Sequence, residues 1–141
     1  MKIKNVLATA LMALAWPVLA QTTPVGLWRS VDDASGEAKA EIRIAADGAG
    51  VLSGRIEKAI ARSAEPQCTD DRKGKPKLGM EIIRGVRQAE GKPEWEGGKI
   101  LDPENGKEYT VRLVPLEGGK QLQVRGYIGP FYRTQVWQRI E

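Results

Sequence analysis

The sequence predicts an all-β domain, a single small antiparallel barrel of about eight strands. Three observations lead there: runs in which apolar and polar residues alternate, turn-forming clusters at short intervals between them, and hardly any segment with a helical period. Ala38, Ala40, Ile42 and Ile44 share one face of a run whose other face carries Glu37, Lys39, Glu41 and Arg43, as a half-buried strand requires. Tyr109, Val111 and Leu113 repeat the pattern against Thr110 and Arg112, and Leu122 and Val124 against Gln121, Gln123 and Arg125. In the last run Tyr132, Thr134, Val136 and Ile140 alternate with Arg133, Gln135, Trp137 and Arg139; bulk on both faces predicts a strand covered on both sides.

Turn signals separate these runs. Asp32-Asp33-Ala34-Ser35-Gly36, Ala46-Asp47-Gly48, Asp102-Pro103-Glu104-Asn105-Gly106 and Glu117-Gly118-Gly119 all combine residues that fix a corner or accept a left-handed backbone. The strands then fall near 25–31, 38–45, 50–57, 79–88, 94–101, 107–115, 121–128 and 131–140. Eight short antiparallel strands favour closure, which removes exposed edges. The stretch from Glu65 to Lys77, marked by Pro66, Gly74 and Pro76, reads as a long surface loop.

The first twenty residues read differently. Lys2 and Lys4 precede an apolar run from Val6 to Trp16, and Val18 and Ala20 sit three and one before a cut between Ala20 and Gln21. That is a cleavable secretory signal, and its apolar run is shorter than the roughly 20 residues that span a bilayer. The expected product is one soluble domain over residues 21–141 without a transmembrane segment, periplasmic or secreted. Without Lys2 and Lys4, 20 basic residues face 18 acidic ones, a net charge of +2. So balanced a charge gives no electrostatic footprint for nucleic acid.

The residue types exclude much chemistry. With no histidine and a single cysteine, the histidine-dependent triads and dyads and the usual zinc sites are out, and no metal or cofactor is expected. Cys68 has no internal partner and is expected as a free thiol. Carboxylates are the remaining acid–base candidates: Asp32 with Asp33, Asp70 with Asp71, Glu94 with Glu96, and Asp102 with Glu104. Each pair lies at or near a turn, where solvated loop residues are the ordinary case, so the chain is not expected to be an enzyme.

Aromatic residues are the better lead. Trp28, Trp95, Tyr109 and Trp137, with Arg125 nearby, are the candidate ligand-binding residues: inward tryptophans in a small barrel either plug one end or line a cavity. Arg125, Arg133 and Arg139 suit an anionic ligand head or a strand-end ion pair.

Several blocks are familiar: Gly26-Leu27-Trp28, Cys68-Thr69-Asp70, Trp95-Glu96-Gly97-Gly98, Leu122 to Gly129, and Arg133-Thr134-Gln135-Val136-Trp137-Gln138-Arg139. Together they resemble the exported bacterial proteins known as domain of unknown function 2147, a likeness that covers nearly all of the mature chain and implies no activity or site. Gly26-x-Trp28 on the opening strand with an arginine on the closing strand also resembles the calycin signature of lipocalins and avidins. That resemblance implies a barrel closed at one end by Trp28, with Arg133 or Arg139 packed over it.

Two functions fit best. One is non-enzymatic binding of a small, partly apolar or amphipathic ligand in a barrel cavity. The other is an envelope module, an inhibitor or assembly factor, that grips a protein partner through the 68–77 loop.

Overall fold

The computed structural model describes residues 22–60 and 77–141. Eight strands follow one another: β1 (Gly26–Val31), β2 (Ala38–Ala46), β3 (Leu52–Ala59), β4 (Glu81–Gln88), β5 (Trp95–Leu101), β6 (Glu108–Leu116), β7 (Gln121–Ile128) and β8 (Phe131–Arg139). Each pairs antiparallel with its neighbour in sequence, and β8 returns to β1, so the sheet closes into a barrel. The expected strands lie within about two residues of those observed. Among the described residues, helix is limited to one 3₁₀ turn at Glu117–Gly119. The leader, Cys68 and most of the long 65–77 segment lie outside the described residues.

The two ends of the barrel are built from different turns. At one end, which we call the mouth, the β1–β2 and β5–β6 connections use the same device. The amide of Gly36 donates to the Asp32 carbonyl, and that of Gly106 to the Asp102 carbonyl. The Asp32 and Asp102 carboxylates also accept amides of their own turns, from Ala34 and Ser35 and from Glu104 respectively. Such local bonds satisfy donors that the ladders leave open. At the other end, the base, Asp47 accepts from the amides of Ala49 and Val51 in the β2–β3 turn.

Alternation sorts the side chains. Trp28, Ile42, Ile44, Leu52, Ile83, Val86, Val111, Leu113 and Leu122 are buried in a core concentrated toward the base. The outer face is polar and laced by cross-strand ion pairs such as Arg84–Glu108 at 2.8 Å and Arg43–Glu57 at 2.9 Å. Exposed pairs of this kind contribute little to stability. Where β4 and β5 cross most closely, only glycine fits: a Cβ on Gly98 would run into the Arg84 carbonyl and Val86.

The ladder is uneven at its seam. β1 and β8 share only the pairs Trp28↔Arg139 and Arg29↔Gln138, continued toward the base by bonds between Leu27 and residues 140 and 141. Toward the mouth the Arg133 side chain of β8 reaches Asp33 in the turn that follows β1.

The last strand departs from expectation. Its inner face is the polar-looking set, Arg133, Gln135, Trp137 and Arg139, while on the opposite face Tyr132 is 60% exposed and Val136 37%. β8 is covered on one side only. The reason is positional: its inner face spans the barrel from mouth to base, and both ends can hold an arginine.

Candidate functional site

The base is sealed. Trp28 is fully buried and its indole N–H donates to the Pro24 carbonyl at 2.7 Å. The Arg139 guanidinium lies 4.2 Å from the centre of the Trp28 ring, within cation–π range. Its N–H groups donate to the carbonyls of Thr23, Val25, Gly119 and Glu141, which ties the segment before β1, the residues after β8 and the β6–β7 turn to one side chain. Burial pulls that guanidinium below its ordinary value. Gly26 must be glycine here: its φ is 146°, and a Cβ would overlap Arg139 and the Glu141 carbonyl.

Of the two arginines considered for closure over Trp28, Arg139 occupies that place. Arg133 stands at the mouth and pairs with Asp33. Three inward steps along β8 separate them, and only the last lies at the depth of Trp28.

The mouth half of the barrel is open. A cavity of about 210 Å³ runs in from the rim. Ile42, Ile56, Ile82, Ile100, Val124 and Trp137 make its walls and floor apolar. Ser30, Tyr109 and Gln135 add polarity part-way up. Two of these are already engaged: Ser30 bonds the backbone of Ala40, and Gln135 accepts the Trp137 indole N–H at 2.9 Å. Gly126 makes room for Tyr109, since a Cβ there would come within 3.2 Å of the Tyr109 Cβ and 3.4 Å of its ring. The rim is ionic, formed by Asp32, Lys39, Lys77, Asp102, Glu104 and Arg133.

The candidate ligand residues divide. Tyr109 and Trp137 line the cavity. Trp28 lies below it under Arg139, and Trp95 is buried in the core beside the base rim. Arg125 is on the outer face, where its guanidinium sits 4.6 Å from the Tyr132 ring and donates to Thr134. This corrects its assignment to the cavity, and the cause is parity: Leu122 and Val124 face in, so Arg125 faces out. Residues 68–76 of the proposed partner-binding loop lie outside the described residues.

Sequence reasoning overlooked Lys77, Ser30 and Gln135. Lys77 is the clearest case, a lysine only 4% exposed whose ammonium lies 3.2 Å from Glu104. Its position at the end of a charged stretch gave no sign of burial. Gln135 was legible in principle, because it shares a face with Trp137.

The rim brings carboxylates of two turns, Asp32 with Asp102 and Glu104, to one opening. A general acid needs a pKa raised toward working pH. Asp32 is held below the usual carboxylate range, chiefly by the Ser35 amide. Asp33 is likewise lowered, chiefly by its hydrogen bond from Arg133. A depressed folded-state pKa contributes stability above the unfolded value of about 4, lost as pH falls through the folded one. Arg133 is 56% exposed, so the loss is under about 1 kcal/mol. Asp33→Asn should therefore be slightly less stable than the wild type at neutral pH, and the two should converge under acid. Urea unfolding between about pH 7 and pH 2 measures this; a gap that widens under acid would refute it.

Comparison with known proteins agrees with this architecture. A family model described as "Uncharacterized protein conserved in bacteria (DUF2147)" matches residues 26–139. Among solved structures, HP1028 of Helicobacter pylori, described as belonging to the lipocalin family, matches with a TM-score of 0.68 and 15% identity. The match covers 85% of this chain and 84% of that one. At that identity it shows the fold alone, a lipocalin-like barrel. No curated protein matches the chain.

Proposed function

The chain belongs to the DUF2147 family of bacterial proteins, and from that premise we propose that it is an exported, non-enzymatic protein that binds a small, partly apolar molecule in its barrel. The observation that carries this reading is the division of the barrel interior, packed solid at the base and hollow at the mouth. An apolar pocket with a few placed polar groups is the general form of a small-molecule site. The lowered pKa of Asp32 argues against acid catalysis there, and the sequence has no histidine to supply a base. The leader at residues 1–20 supports export to the periplasm or beyond.

Size narrows the occupant. A cavity of roughly 150 Å³ accommodates benzene, so about 210 Å³ suits a compact molecule or a short chain. Octan-1-ol is a fitting probe, and Trp137, in the cavity wall, supplies a fluorescence signal. Titration should give a saturable change, with one alcohol per chain by native mass spectrometry. Ala40→Phe, which fills the cavity from β2, should weaken binding at least about tenfold while leaving the melting curve near that of the wild type. A folded Ala40→Phe protein that binds octanol unchanged would sink the proposal.

A further inference from the structure

We propose that the barrel docks its mouth on an anionic phospholipid surface, with the tip of the β7–β8 hairpin inserted among the lipids.

The tip is apolar on both faces. Ile128 pairs with Phe131 across it, and Tyr127 with Tyr132 one step behind. The next pair, Gly126 and Arg133, lines the cavity. By alternation, Ile128 and Phe131 continue the inner wall beyond the rim, while the two tyrosines stand on the outside. Phe131 is 76% exposed and Ile128 47%, and every residue from Ile128 to Arg133 is exposed. The tyrosine rings lie 5.8 Å apart, so the outer face of the finger is one aromatic surface.

Behind the rings comes a cation. Arg125 is three steps from the tip, about 10 Å along the strand at roughly 3.3 Å per residue. Its guanidinium reaches back toward the tip and lies 4.6 Å from the centre of the Tyr132 ring. Its Nε–H donates to Thr134, and no carboxylate pairs with it among the described residues. Arg43, Arg84 and Arg112 on the same outer face each have a glutamate partner. Arg125 keeps its charge for something outside the barrel.

Apolar tip, then tyrosines, then arginine is the order of environments met on leaving a bilayer: acyl chains, interface, phosphates. Elements that lie in the interface bury their apolar groups by about 5–10 Å, which matches the span from Phe131 to Arg125. Shape decides between occupants. A protein partner or a second copy pressed on the finger covers one of its faces, whereas fluid lipid closes round both. The rim adds no net field, since Asp32, Asp102 and Glu104 stand against Lys39, Lys77 and Arg133. The preference for anionic lipid therefore falls to Arg125. On the cavity reading, the mouth opens onto the bilayer and an apolar ligand passes between them without crossing bulk water.

Mixed phosphatidylethanolamine–phosphatidylglycerol vesicles are the probe, and co-sedimentation measures binding. The wild type should bind them saturably. Ile128→Ser with Phe131→Ser, both at exposed positions, should weaken binding at least about tenfold without moving the melting curve. Arg125→Gln should weaken it about fivefold and leave binding to phosphatidylcholine vesicles unchanged. Phe131→Trp reports insertion directly: its added emission should shift to shorter wavelength on vesicles and be quenched by brominated acyl chains. Absence of vesicle binding, or a double-serine protein that binds as the wild type does, would overturn the proposal. So would a concentration-dependent dimer, formed without lipid and lost in the double-serine protein, because a second copy would then cover the tip. Ala40→Phe should bind vesicles normally, so this inference and the cavity reading fail separately.

Discussion

Trp28→Ala should lose about 3–5 kcal/mol of stability. The indole is completely buried and forms the plug of the base; nothing around it can collapse into the space, because the surrounding β-ladders are fixed by hydrogen bonds. The change also withdraws the ring on which Arg139 rests and the donor that satisfies the Pro24 carbonyl. Domains of this size are stable by about 5–15 kcal/mol, so a large part of the total is at stake. Urea unfolding followed by far-ultraviolet circular dichroism is the appropriate measurement, since it does not depend on the missing fluorophore. A loss below about 1 kcal/mol would mean that the base is not a packed plug.

Arg139→Met should cost about 2–4 kcal/mol. Methionine replaces the stem but none of the donors, and the carbonyls of Thr23, Val25, Gly119 and Glu141 lose their shared partner. Those nearer the surface recover water, which keeps the cost below the sum of four charge-assisted bonds. A double-mutant cycle with Trp28→Leu isolates the contact between guanidinium and ring, for which about 1–2 kcal/mol of coupling is expected. If Arg139→Met matched the wild type within about 0.5 kcal/mol, the arginine would be a surface ornament rather than a clasp.

Sequence patterning was sufficient for the scaffold because its rules are local. Alternation at 38–44 and 109–113 dictates which face of each strand turns inward, and Asp-to-Gly turns such as 32–36 and 102–106 dictate where the chain reverses. The Gly26-x-Trp28 signature with a closing arginine identified the base, but depth along β8 was needed to choose Arg139 over Arg133, since both face inward.

The binding end was harder to read, for a physical reason. A cavity is an absence of side chains where several strands converge, and no one strand encodes it. Ala40, Gly126 and Val124 look like ordinary small strand residues until the sheet closes and leaves them facing the same space. Lys77 looked solvated because its neighbours in sequence are charged; its burial is a property of the closed barrel.

The seam between β1 and β8 also bears on how the chain reaches this state. Every other ladder joins strands that are consecutive in sequence, and all of these except β3–β4, whose strands are separated by residues 60–80, can zip from a short turn. Arg139 meets Thr23 across 116 positions, the widest separation bridged by a side-chain hydrogen bond among the described residues, and that encounter carries a large loop-closure entropy. The expected order is a meandering ribbon first and a cylinder last. Until the final strand docks, the ribbon offers two unpaired edges to any neighbouring copy, and the arginine clasp that ends this exposure lies at the far end of the chain.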